Sequence, residues 1–266
     1  MMVVTRWSAW NEEIEVQVTE GAALGPAEDL VVTVLAEAES ACSLQRGDAE
    51  IHAVNLAQGS PVQVSTRLAR LLRSALWVAR MTDGAVSPLA VEDSPSGIPP
   101  IHPEPTFADV QVDNATVLAP WGVFFDIADT AKADTADRAA ALVASDLECG
   151  VMVRIGSVVA TAGHPPAGGW QIPVPGDGAV ELHAGTAMAT VHADDSYGRD
   201  NPVGGEWEQV SVIDDDALWA YGAAAAAIQR GVGAVTWLEE QDLAARLVDR
   251  AGRVYMTDGW SRPYAA

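Results

Sequence analysis

Ile14, Val16 and Val18 alternate with polar neighbours, the pattern of a half-buried strand. Gly25-Pro26 then opens a helix. Pro26 suits a first helical position, Glu28 and Asp29 suit the positive end of the helix dipole, and apolar residues continue to Cys42. Residues 46–61 are polar and turn-rich and predict a connection. Ser65 or Thr66 caps the next helix, in which Leu68, Leu71, Leu72, Ala75, Leu76 and Ala79 recur at helical spacing until Asp83-Gly84 ends it. Five prolines within 91–106 predict a loop crossing or a linker, and a possible division between two lobes.

Val110, Val112, Val117 and Leu118 flank a turn at Asp113-Asn114 and read as strands. Val123 to Phe125 run into Asp126, and an alanine-rich helix covers about Thr130 to Ala144. Val151, Val153 and Ile155 alternate as a strand. After a loop from Gly163 to Gly169, Trp170 to Val174 leads to a turn at 175–178. Met188 to Val191 and Trp207 to Ile213 are strand-like. Asp214, Asp215 and Asp216 precede a helix that continues through Arg230, where they satisfy its dipole. The remaining chain predicts a strand over Val235 to Leu238, a helix over Gln241 to Val248 and a last strand over Arg253 to Met256. Strands and helices mix without strict alternation, which predicts a mixed α/β or α+β sheet with helices packed on it.

The chain is long enough, at 266 residues, to bury a sizeable core, as one large domain or two small ones. Its hydrophobic fraction of 49% and charged fraction of 20% are those of a globular protein. The net charge of −22 argues against a nucleic-acid or anionic-membrane surface. The longest apolar stretch, Ala217 to Ile228, is short of the roughly 20 residues a membrane span needs. No stretch near the start has the apolar core of a signal peptide, so the expected location is cytoplasmic. Cys42 and Cys149 are expected as small buried hydrophobes. Lys132 is the sole lysine among 15 bases, and a compact ammonium does things a planar guanidinium cannot.

The standard phosphate-loop, dinucleotide-binding, zinc-hydrolase and serine-hydrolase motifs are absent from the sequence. The segment from Phe125 to Arg138, FDIADTAKADTADR, instead resembles the lysine-containing run of the FAD:protein FMN transferases, the ApbE-type flavin transferases. Asp126, Ile127, Ala131, Lys132, Asp137 and Arg138 match, while Ala128, Asp129 and Ala133 stand where that family has glycines. The turn CSLQRGDAEIHAVN is similar to the family's polar turn, with Ser43, Asp48, Glu50 and Asn55 in place. Residues 60–88, 151–174 and 237–260 resemble the family's following segments in order and spacing. The resemblance implies one two-lobed α+β domain over residues 1–266. It also implies a reaction: FAD and Mg²⁺ are bound, the pyrophosphate is cleaved, and FMN passes to a Thr or Ser hydroxyl of an acceptor flavoprotein as AMP leaves.

Carried over residue by residue, the resemblance implies a cofactor surface of Gln45, Ala85, Val86, Ser87, Asp126 and Lys132. Lys132 would neutralise phosphate, with Arg138, Arg154 and Arg199 as further cations. Asp126 would face the nucleotide or simply cap a helix. His192 and Asp195, in HADDSYGRDNPV, stand nearest the family's histidine-containing run and are the candidate bases. The family's metal-binding Asp and the Thr four residues later become Tyr221 and Ala225, which are not expected to bind, and Asp129 is the remaining candidate ligand. An aromatic that packs on the flavin in the family becomes Gln45, and an Asp near Ser87 is missing. Two functional readings follow: a transferase, or a family member without turnover that binds flavin or a protein partner.

Overall fold

A computed structural model describes residues 2–90, 105–176, 178–193 and 205–260. In chain order, strands β1 (Val3–Ala9) and β2 (Glu12–Val18) precede helices α1 (Leu24–Cys42) and α2 (Ile51–Leu56), strand β3 (Val62–Gln63) and helix α3 (Thr66–Met81). Short strands β4 (Leu89–Ala90), β5 (Gln111–Asp113), β6 (Thr116–Leu118) and β7 (Phe124–Phe125) lead to helix α4 (Ala128–Leu147). Then come β8 (Val151–Ile155), β9 (Val158–Ala162), β10 (Trp170–Val174), β11 (Gly178–Leu182), β12 (Ala187–His192) and β13 (Trp207–Asp214). Helices α5 (Ala217–Arg230) and α6 (Ala234–Glu240) and strands β14 (Ala244–Asp249) and β15 (Val254–Met256) follow. The chain forms two compact units. One takes the N-terminal segment to Leu35 and resumes at Lys132; the other runs from Ala36 to Ala131.

The first unit is organised on an eight-stranded antiparallel sheet in the order β1-β2-β8-β9-β12-β13-β14-β15. Side chains alternate across a sheet, so register assigns its two faces. Ile14, Val16 and Val18 of β2 share a face with Val151, Val153, Ala160, Ala189, Val210, Val212, Ala245 and Leu247, and all are buried. Alanine-rich α5 packs on β9, β12 and β13. Its small residues let the backbone come close to this face. The opposite face carries Met152, Val159 and Met188, covered by the β10–β11 hairpin through Trp170, Ile172, Val174, Val180 and Leu182, with Trp260. The unit is therefore three layers: helices, sheet, hairpin.

In the second unit α3 has the expected amphipathic form. Ser65 accepts a hydrogen bond from the Leu68 amide at 3.1 Å, and the predicted leucine stripe is buried. Strands β3, β6 and β5 form a small sheet, with Asn114 in the left-handed region at the β5–β6 turn. Strands β4 and β7 pair as a second one, Leu89 opposite Phe125.

Several expectations change. The turn-rich stretch after Cys42 contains α2, whose buried Ile51 and Val54 are held on one side of a single short turn pair. Strands β1 and β11 were not legible as separate elements. Val235 to Leu238 is helical, and within Gln241 to Val248, expected as a helix, the chain turns into a strand, Ala244–Asp249, between β13 and β15. Apart from Pro105 and Thr106, the proline-rich stretch 91–106 lies outside the described residues. No described helix is long and apolar enough to cross a membrane. Cys42 and Cys149 are buried and form no disulfide.

Candidate active site

In the second unit, α2 carries Asn55 into a buried position, 4% exposed. Its side chain clamps one residue of β7 from both sides. The amide nitrogen donates to the Phe125 carbonyl at 3.1 Å, and its oxygen accepts from the Phe125 amide at 2.8 Å. Asp126 follows directly. Its backbone amide donates to the Pro88 carbonyl at 3.0 Å, and its carboxylate accepts from the Ala128 amide at 3.2 Å. Asp126 is thus exposed at the start of α4, held on its N-terminal side by Asn55 and capping the helix on the other. The capping role weighed for it is realised, and it leaves a carboxylate oxygen facing out. Asp129 is exposed in the first turn of α4.

The loop with Ala85, Val86 and Ser87 is built on buried Thr82. The Thr82 hydroxyl donates to the Val78 carbonyl at 2.8 Å and accepts from the Val86 amide at 3.1 Å. The Ser87 hydroxyl accepts from the Leu89 amide at 3.1 Å as β4 begins. Gln45 is exposed in the turn after α1. Sequence reasoning gave Asn55 no site role; its signal is its place in the polar turn that resembles the family's. Removing its side chain orphans two buried backbone groups. Asn55→Ala should therefore cost about 2 kcal/mol, read as a lower urea midpoint at unchanged m-value.

In the first unit, Lys132 projects from α4 with its side chain 15% exposed and ion-pairs with the Glu12 carboxylate at 2.5 Å. The ammonium also lies 6.0 Å from the centre of the Trp10 ring, within cation–π range. Glu12 has the parity of Ile14, Val16 and Val18, so this pair sits on the helical side of the sheet. The β1–β2 turn that delivers it is strained. Trp10 and Asn11 both have positive φ, 49° and 57°, a conformation Asn tolerates and a bulky aromatic resists. Space for the Glu12 carboxylate comes from Gly156 in the β8–β9 turn, where an added Cβ would lie 2.3 Å from a Glu12 oxygen. Nothing in the sequence alone points to Glu12, because its role depends on which strand crosses which helix.

Tyr221 and Ala225 are the partly open positions of α5, one turn apart, between residues that are buried. A Mg²⁺ ion prefers carboxylate, carbonyl and water oxygens. A phenol and a methyl group do not supply them, and no cluster of three or more His, Cys, Asp or Glu side chains among the described residues is arranged to hold a metal. These residues do not fit a protein-built Mg²⁺ site. Asp137 has a structural position: it accepts from the Ala217 amide at 2.7 Å at the N-terminus of α5. Burial pushes its carboxyl up to about 7. Asp216 caps the same helix through the Trp219 amide at 2.9 Å. Burial, with Asp215 beside it, raises Asp214 to about 6. The acidic run is a helix N-terminus, as expected.

His192 pairs with Gln209 at the end of β12 and shares a face with Met188 and Thr190. That is the hairpin side, opposite the Lys132–Glu12 pair. Arg154 lies on the same side, opposite Glu15 in register. The structure does not bring His192 or Arg154 to Lys132. Asp195 and Arg199 lie outside the described residues.

The flavinyl transferase ApbE of Pseudomonas stutzeri aligns over 98% of this chain and 96% of its own, with a TM-score of 0.79 at 18% identity. The ApbE protein of Thermotoga maritima aligns over 97% of both chains, with a TM-score of 0.79 at 19% identity. The flavin transferase ApbE of Vibrio cholerae aligns over 98% of both, with a TM-score of 0.74 at 16% identity. Comparison with curated protein sequences gives no match. The ApbE family profile matches residues 10–247, and the chain belongs to the ApbE family.

Proposed function

We propose that the protein is an FAD:protein FMN transferase, moving FMN from FAD to a Thr or Ser hydroxyl of an acceptor flavoprotein and releasing AMP. One observation carries the reading: the only lysine of the chain is held, mostly buried, on α4, at the position to which the resemblance to the ApbE family assigns cofactor contact. In the transfer, the acceptor oxygen bonds to the phosphorus of the FMN half. The bond from that phosphorus to the bridging oxygen breaks, and AMP leaves with the electron pair. The hydroxyl proton goes to a base. Developing charge on the departing phosphate calls for a fixed cation. Lys132 supplies it, oriented by Glu12 and Trp10. Within the second unit, Asn55 fixes the backbone of Phe125 just before Asp126, whose carboxylate would accept from a hydroxyl or amine.

The test is incubation of the full chain with FAD and an acceptor carrying a flavinylation threonine, with Mg²⁺ and separately with EDTA. AMP and covalently bound flavin are the expected products. Their loss in EDTA would show a metal requirement met largely by the nucleotide's own oxygens and water. No AMP under either condition, with FAD binding retained, would leave a flavin-binding module in place of the transferase.

A further inference from the structure

The hairpin side of the sheet holds a cavity of about 220 Å³, walled by Ile172 and Met188 and edged by Arg154, Thr190, His192 and Gln209. All belong to the first unit, on the face away from Lys132. Its polar groups are unevenly satisfied. The Ser211 hydroxyl, fully buried, is shared by Thr190 at 2.9 Å and by the Gln209 amide at 3.3 Å. Arg154 is different. Its nearest acid is Glu15, directly opposite on β2. Both Glu15 oxygens are already taken, one by the Arg6 guanidinium at 3.0 Å and one by the Gln17 amide. Among the described residues no group accepts a hydrogen bond from the Arg154 guanidinium. Partial burial also disfavours its charged form. Glu13, on the same face of β2, adds only a charge interaction. A half-buried cation that no acid meets with a hydrogen bond is costly unless an anion meets it. In a chain of net charge −22, such a spare cation stands out against its surroundings.

We propose that this cavity binds a small carboxylate with a short apolar body, its oxygens on the Arg154 guanidinium and its carbons against Ile172 and Met188. A guanidinium fork matches a carboxylate in two parallel hydrogen bonds. The volume is below the roughly 300–1,000 Å³ of pockets for drug-sized ligands, which suits a small ligand. Apolar walls and one unengaged cation disfavour a phosphate dianion, which needs several donors. The carboxylate has two possible sources: a free monocarboxylate, or an Asp or Glu side chain of a docked peptide. The proposal does not rest on the transferase reading.

The test follows methyl resonances of Ile172 and Met188 in the full chain by NMR. Sodium butyrate is the first probe, and the acetylated, amidated tripeptide Ala-Glu-Ala is the second, with its Ala-Gln-Ala counterpart as control. The expected result is saturable shifts at both methyl groups. Arg154→Gln should weaken binding at least about ten-fold. Arg154→Lys, which keeps the charge and loses the fork, should weaken it several-fold and serves if Arg154→Gln does not fold. Tighter binding of the Glu peptide than of butyrate assigns the site to a protein partner, and the reverse assigns it to a metabolite. Absence of saturable shifts with either probe would overturn the proposal, as would equal binding of the Glu and Gln peptides. FAD should not displace butyrate; displacement would make the cavity part of the flavin site and end its independent role. Loss of AMP release in the transfer assay leaves this outcome untouched.

Discussion

Lys132→Ala should lower AMP release from FAD about 10²–10³-fold, the usual loss when one fixed charge donor is removed from a developing oxyanion. Stability should change little. Glu12, its partner, keeps 30% of its side chain exposed, so water can solvate the carboxylate once the ammonium is gone, and such partly exposed pairs are worth about 1 kcal/mol or less. Lys132→Arg should not rescue. The site is shaped by the Trp10 ring and by a Glu12 carboxylate lodged over Gly156; a guanidinium needs a planar slot where an ammonium needs a point. The measurement is single-turnover AMP formation with melting temperature as a control. A Lys132→Ala protein that releases AMP within a few-fold of the native rate would reduce Lys132 to a structural partner of Glu12, and the transferase reading would lose its carrier. The competition is informative as well. A nucleotide diphosphate at the proposed site would have to share the ammonium with Glu12 or displace the carboxylate.

What could be read from the sequence follows a physical line. The α3 stripe and its Ser65 cap are local: spacing and one hydroxyl suffice, and both were legible. So was the run from Phe125 into α4, because Asp126, Lys132 and Asp137 keep a pattern in the chain itself. The C-terminal exchange was not. Val235 to Leu238 carries β-branched and aromatic residues, yet it forms a helix, with Trp237 edge-on to Trp219 of α5 and under the Arg230 guanidinium. Ala244 to Asp249 is made of good helix formers, yet the β13 and β15 edges capture it. Ala245 and Leu247 fill one face, and Arg246 is buried on the other. A strand buried on both faces loses the alternation that would reveal it. Tertiary pairing decided both segments against propensity. The site divides in the same way. Lys132 and Asp126 are proposed from a pattern that lies within one short run of the chain. Asn55 and Glu12 act on groups 70 and 120 residues away, and no window of sequence contains both partners. The placement of His192 also depends on pairing: its face is set by register with Gln209, which the strand sequence alone does not fix.

Asp137→Asn should stabilise the protein at pH 8 and leave it nearly unchanged at pH 4. In the native chain, burial drives the Asp137 carboxyl up to about 7, aided by the like charges of Asp216 and Asp134 and opposed by the backbone amides of Ala217 and Leu218. The unfolded value is 3.8. Between these values the folded state holds a proton that the unfolded chain has released. The stabilisation this gives is complete below about pH 4 and is lost as pH rises through 7. Asparagine keeps an oxygen for the Ala217 amide and carries no charge, so it escapes that loss. A shift of about three units corresponds to about 4 kcal/mol at most, and water reaching the group lowers this to about 2–3 kcal/mol. For a unit of this size that is roughly 5–10 °C in melting temperature. Asp214, raised to about 6, gives a slope of the same sign between pH 4 and 6. It is present in both proteins and cancels in the difference. The opposing possibility is physical: the N-terminus of α5 stabilises a carboxylate. If Asp137→Asn melts lower than the native protein at pH 8, the helix field has outweighed burial and Asp137 is ionised where it caps α5. The sign of the pH 8 difference therefore decides which of the two fields governs that end of the sheet.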